Sequence, residues 1–148
     1  MSTGEPTLLK LLSQATAAYE RALNEELRAR LDEQLRPAHY AVFRYLDPNG
    51  LRITALAEAA GMTQQSMGEL VTHLERRGLV ARQVDPADRR ARVVTVTPAG
   101  RAALAVAEGR IREIERTVAR ELGAPCLAEL RAALAGVGAA LAADAVDR

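Results

Sequence analysis

The chain is poor in several things. It has one cysteine, Cys126, no tryptophan, and only 3% aromatic residues among 148. A lone cysteine excludes an intrachain disulfide and any Cys-x-x-Cys metal site. With so few aromatics, the core must come from Leu, Val, Ile and Ala, a composition that favours helices. Lys10 is the single lysine, so arginine supplies nearly all the positive charge. We read that bias, with the abundant alanine, as genome composition rather than function. No apolar run approaches a membrane span, and "MSTGEPTLLK" lacks a signal-peptide layout. These absences lead us to expect a soluble cytoplasmic protein without a membrane partner. No Gly-rich phosphate loop, nucleophile elbow or His-rich helix is present, so no enzymatic activity and no cofactor are expected. His39, His73 and Cys126 are too widely spaced to form a metal site by themselves.

What is present is helical periodicity and one concentrated basic segment. Hydrophobic residues make up 49% of the chain, enough for a core in one domain with a helical extension. The net charge is only +1. From Arg76 to Arg92, however, six arginines face two aspartates, a local charge of +4. Such a patch on a balanced chain can steer a polyanion.

Apolar residues recur mostly four apart from Leu8 to Leu35, predicting one long helix from Thr7. Pro37 fits the first turn of a second, "PAHYAVFRYL", which "DPNG" ends. After the extended "LRI", Thr54 can cap a short helix ending at Ala60. Gly61 breaks it, and Thr63 can cap a longer helix ending near Gly78. Leu56, Ala57, Ala60, Met67, Leu70, Val71 and Leu74 would form their shared apolar face. Two helices joined by a tight turn match a helix-turn-helix, although a helical hairpin without a DNA role shares the pattern.

"LVARQV" and "ARVVTV" are rich in β-branched residues and flank "DPADRR". They predict a hairpin, a wing, directly after the second helix of the pair. Thr97 and Pro98 start a new helix, "GAP" interrupts it, and a last helix follows. The seams of the terminal helices, coiled-coil-like in their spacing, exceed what a small winged domain can cover. We expect a second copy of the chain to meet them. The fold class is therefore mainly α with a small β-wing. Residues 37–97 would be the winged helix-turn-helix, and residues 1–36 and 98–148 the helical dimerisation region.

On the longer helix of the pair, the outward side carries Gln64, Gln65, Ser66, Gly68, Glu69, Thr72, His73 and Arg76. Gln can pair with adenine and Arg with guanine in the major groove. Glu69 could accept from cytosine N4 or hold Arg76 in place. Taken alone, this face could equally be an ordinary solvated surface. A wing beside such a helix reaches the minor groove or the phosphates, where arginine gains from the negative potential.

Helix-turn-helix, wing and "DPADRRARVVTVTPAGR" together resemble the MarR family of winged-helix transcriptional regulators, over nearly the whole chain. The most specific piece is Asp88-x-Arg90 followed by a strand and "VTPAG". The resemblance implies a homodimer on a palindromic double-stranded operator. It implies Arg90 in the minor groove, oriented by Asp88, and a recognition helix from Thr63 to Arg77. Arg92 and Arg76 would touch phosphate. Arg36 departs from the family's frequent capping threonine. The family also implies a small, often aromatic, anionic effector that releases a repressor. Tyr19, His39, Tyr40 and Phe43, with Arg44 and Tyr45, are the candidate lining residues; they could instead seal a junction between subdomains. Cys126 reads as a core thiol rather than a redox sensor. The alternative function is a winged-helix protein-interaction module without sequence-specific DNA binding.

Overall fold

The computed structural model describes residues 4–31 and 34–148. The element order is α1 (Leu8–Arg30), α2 (Pro37–Tyr45), α3 (Ile53–Ala60), α4 (Gln64–Arg76), β1 (Val80–Asp85), β2 (Asp88–Val96), α5 (Pro98–Leu122) and α6 (Ala124–Val146). The chain forms two compact units, Met1–Arg110 and Ile111–Arg148.

In the first unit, Thr7 caps α1 by accepting from the Lys10 N–H at 3.1 Å. α1 is shorter than its apolar stripe implied. It closes at Leu31, whose N–H bonds the Leu27 carbonyl, and Leu35 is buried off the helix. Asp32 and Glu33 lie outside the described residues. Periodicity overran here because a buried leucine after a helix end falls in phase with the stripe by coincidence of spacing.

α3 starts without a side-chain cap: Arg52 is its N-cap, and Thr54 lies inside the first turn. Thr54 is therefore not the cap its residue type promised. α3 ends as expected at Gly61, which adopts φ 66°, a left-handed conformation that costs glycine little. Thr63 does cap α4, accepting from the Ser66 N–H at 3.1 Å. Leu56 and Ala57 of α3 and Met67, Val71 and Leu74 of α4 are buried together with Val42 of α2. This is most of the apolar face the helix-turn-helix spacing predicts; Ala60 and Leu70, expected on it, are only half-buried.

β1 and β2 are antiparallel, with Val80 opposite Val96 and Val84 opposite Arg92. Val80 and Val94 carry the sheet's inner face into the core. Leu51 adds a bridge to Val94. Thr97 then ties the start of α5 to the end of α4. Its hydroxyl donates to the Gly78 carbonyl and accepts from the Gly100 N–H. Gly100 sits so close to the Leu79 carbonyl that an added Cβ would lie 2.0 Å from that oxygen.

In the second unit, Arg131 of α6 pairs with Glu115 of α5 at 2.7 Å. No residue of α6 is buried; Leu130, Leu134 and Leu141 are exposed. Two readings change here. Cys126 is exposed rather than a core thiol, because α6 has no inward face in this chain. α6 is also long and apolar enough to cross a membrane, by length and composition alone. Its alanines raise the mean hydropathy without forming an unbroken run of large apolar residues, which is why the sequence did not look like a span.

Candidate nucleic-acid interface

Helix α4 presents its outer face by simple geometry. With 3.6 residues per turn and Met67, Val71 and Leu74 inward, the opposite side falls on Gln65, Glu69, Thr72 and Arg76. Gln64, Gln65 and Ser66 are exposed in the first turn, which carries no acidic residue. The positive end of the helix dipole is thus left open to an anion. Gly68 faces open space, with nothing near the position of a Cβ. Nothing inside the chain demands glycine there.

His73 departs from the expected outward face. It stacks on His39 of α2 with ring centroids 4.3 Å apart, and its Nε2 is buried. One residue past Thr72, it lies on the opposite flank of α4, the flank that meets α2. His39 is itself buried and accepts the Arg36 N–H at Nδ1, 2.8 Å away. That bond satisfies the N–H of Arg36 itself, a different donor from the one a threonine hydroxyl would cap. It also requires Nδ1 to be unprotonated. Burial, then the neighbouring His73, hold the His39 pKa below its usual 6.5. His39 therefore adds stability that is complete above pH about 6.5 and is lost as pH falls below that value, where the unfolded chain takes up a proton the folded chain resists. Thermal unfolding followed between pH 8 and pH 5 is expected to show the decline, and His39→Gln to flatten it. An unchanged slope in the variant would refute the assignment.

Tyr40 is buried and Tyr19 and Phe43 are half-buried, while Arg44 pairs with Glu20 of α1 at 3.6 Å. The structure gathers these residues at α1 and α2. One surface depression is lined by Asn24, Glu25, Arg28 and Ala29, and another by Val84, Asp85, Pro86 and Arg89. Neither is lined by Tyr19, His39, Tyr40 or Phe43.

The wing is built to display arginine. Beyond the Val84–Arg92 pair, the next partners are Asp85 and Asp88, so Arg89, Arg90 and Ala91 have no residues opposite them. This irregularity pushes the tip outward. The strand reaches back to Asp88, so Arg89 and Arg90 belong to β2 rather than to the turn. Asp85 accepts the Ala87 N–H at 2.8 Å and the Arg52 Nε–H at 2.9 Å. Those two bonds hold its pKa below the ordinary 3.8. Asp88 accepts both the backbone N–H of Arg90 at 3.0 Å and its Nε–H at 3.4 Å. The Arg90 side chain is nevertheless 93% exposed. Arg76 and Arg92 are exposed as well.

Arg82 is the residue the sequence counted only as charge. It shares a strand face with buried Val80, a phase that turns it inward. Its guanidinium reaches Glu75 at 2.6 Å, Thr72 at 3.0 Å and the Gly68 carbonyl at 3.4 Å. These acceptors line one flank of α4 at steps of four and three. Arg82 thereby fastens the wing to the helix, and the Thr72 hydroxyl is engaged by it. Arg82→Met is expected to lower stability by about 1–3 kcal/mol, since it strands Glu75 in a partly buried place. Chemical denaturation of R82M, E75Q and the double variant checks this. Additive effects would contradict a shared clamp.

A tri-helical core, a helix with a polar open face, and a bulged wing that holds an arginine outward form a winged helix. The sequence pattern of the MarR family matches residues 33–91. The transcriptional regulator HosA of Escherichia coli O111:H- is 38% identical over 101 residues, 68% of this chain and 68% of that protein. The chain belongs to the MarR family. It is a transcriptional regulator with a DNA-binding winged helix, and its relatives are regulators rather than enzymes. Solved structures of the same fold include the transcriptional repressor CouR bound to a 23-mer DNA duplex. That protein is 28% identical, with a TM-score of 0.76 over 93% of this chain and 98% of that one. CouR from Rhodococcus jostii RHA1 bound to p-coumaroyl-CoA is 26% identical, with a TM-score of 0.71 over 86% of this chain and 88% of that one.

Proposed function

We propose that this MarR-family chain is a homodimeric repressor that binds a palindromic operator and is released by a small molecule. The observation that carries the DNA-binding geometry is Arg90, anchored by Asp88 yet 93% exposed at the tip of a bulged wing. An arginine held at its backbone N–H and Nε, with its side chain still turned to solvent, suits a narrow minor groove. α4 enters the adjacent major groove with Gln64, Gln65 and Ser66, while Thr72, bonded to Arg82, flanks them, and Arg76 and Arg92 meet phosphate. His73, stacked inward, supports α4 instead of reading bases.

Dimerisation rests on uncovered apolar surface at both ends of the chain. Leu9 of α1 is 75% exposed and Leu141 of α6 is 64% exposed. Large apolar side chains left in water on long helices favour a second copy of the same surface. The binding of p-coumaroyl-CoA by CouR supports an aromatic or anionic effector here, near Tyr19, His39, Tyr40 and Phe43. The effector would change the spacing of the two recognition helices and so their fit to successive major grooves.

Light scattering coupled to size exclusion, with a gel-shift titration against the DNA upstream of the protein's own gene, tests both parts. A dimer with a steep salt dependence and a preferred fragment is expected. A monomer, or equal affinity for all fragments, would defeat the proposal.

A further inference from the structure

Helix α4 carries two carboxylates of opposite fate. Glu75, on the flank, is compensated by Arg82 at 2.6 Å. Glu69, exposed at the middle of the outer face, takes part in no hydrogen bond or ion pair among the described residues. Arg76 does not hold it: seven residues of helix place the two about 10.5 Å apart along the axis. An uncompensated carboxylate in a surface that meets phosphates weakens binding unless the complex supplies a donor. Among base edges in the major groove, the cytosine N4 amino group is the donor that no acceptor of the same base crowds.

We propose that Glu69 is a specificity-determining residue of this regulator, selecting cytosine in each operator half-site by accepting from its N4 amino group. The inference rests on the reading of α4 as the recognition helix. Glu69 lies between Gln65 and Arg76 on the exposed face of α4, where a carboxylate is better matched by a base-edge donor than by a phosphate. Its charge also lowers affinity for DNA that offers no such donor, which widens the gap between operator and bulk sequence. The helix face thus gains discrimination at the cost of general attraction, and the wing arginines supply the attraction.

Selection of bound fragments from a random duplex library tests this, using the purified full chain as wild type, Glu69→Ala and Glu69→Gln. Equal thermal unfolding of the three proteins shows that the variants are folded. The wild type is expected to require cytosine at one position of each half-site. E69A should weaken that preference roughly tenfold. E69Q should move it toward adenine, because glutamine pairs bidentately with adenine N6 and N7. A base profile for E69A that matches the wild type at every position overturns the inference while leaving α4 as a reader. A wild type with no base preference at all overturns the recognition-helix reading and this inference with it.

Discussion

Arg90→Ala is expected to weaken operator binding about 100-fold at moderate salt, or about 3 kcal/mol shared between the two wings of a dimer. The physical basis is the arrangement at the tip. The Asp88 carboxylate holds the Arg90 backbone at 3.0 Å and its Nε at 3.4 Å, so the side chain loses little freedom on entering a groove. Among the described residues the guanidinium has no other partner to leave. Removing it also takes one cation per protomer from the phosphates, so the slope of log affinity against log salt should fall by about two per dimer. Asp88→Asn should keep the backbone bond but lose the charge-assisted one, with a smaller drop. Arg89→Ala should cost less still, because Arg89 borders the depression at Val84 and Pro86 and has no such anchor. Fluorescence anisotropy on one operator across a salt series measures all three. Equal affinity of R90A and wild type at moderate salt would remove Arg90 from the groove.

Gly100→Ala is expected to lower stability by about 3 kcal/mol or more, and the unfolding midpoint by roughly 10 °C. The new methyl carbon would stand 2.0 Å from the Leu79 carbonyl oxygen and 2.8 Å from a Val96 methyl. Neither is the end of a flexible side chain, so the first turn of α5 must move away from the wing. That movement would break the Thr97 bonds to Gly78 and Gly100, which join the end of α4, the wing and α5. Gly68→Ala is the internal comparison. Nothing lies near its added carbon, and alanine favours helix, so it should stabilise the free protein by up to about 1 kcal/mol. Thermal and denaturant unfolding of the two variants should differ in sign; a neutral G100A would show that α5 docks more loosely than the geometry implies.

The two predictions separate what can be read along a chain from what cannot. "VTPAG" announced a capped helix start by residue type alone, and the structure bears that out at Thr97 and Pro98. Why the fifth residue is glycine was not legible, because the Leu79 carbonyl that forbids a side chain arrives from another segment. Cap chemistry was legible at Thr63 and misled at Thr54. Both threonines precede apolar helical stretches, and only packing chose to start α3 two residues earlier.

The site shows the same division. Asp88 and Arg90 are two residues apart, so their contact is local and the motif exposed it. Arg82 and Glu75 are held together by the angle between a strand and a helix. His39 and His73 meet across two helices, and their stacking took His73 off the outer face. Glu69 was visible as an acid on that face, with Arg76 or a base as its alternatives. Only the helix geometry and the pairing of Glu75 by Arg82 left it without a partner. The exposure of Cys126 was hidden for a related reason: periodicity reports that a stripe is apolar, and does not report whether this chain covers it.

The sequence by itself determined the helices, the turn of the helix-turn-helix, the wing and its anchored arginine, because each depends on spacing, caps and neighbours a few residues apart. The tertiary structure decided which polar side chains of α4 remain free for DNA. That choice is made by Arg82 from the wing and His39 from α2, whose reach is set by packing and not by distance along the chain.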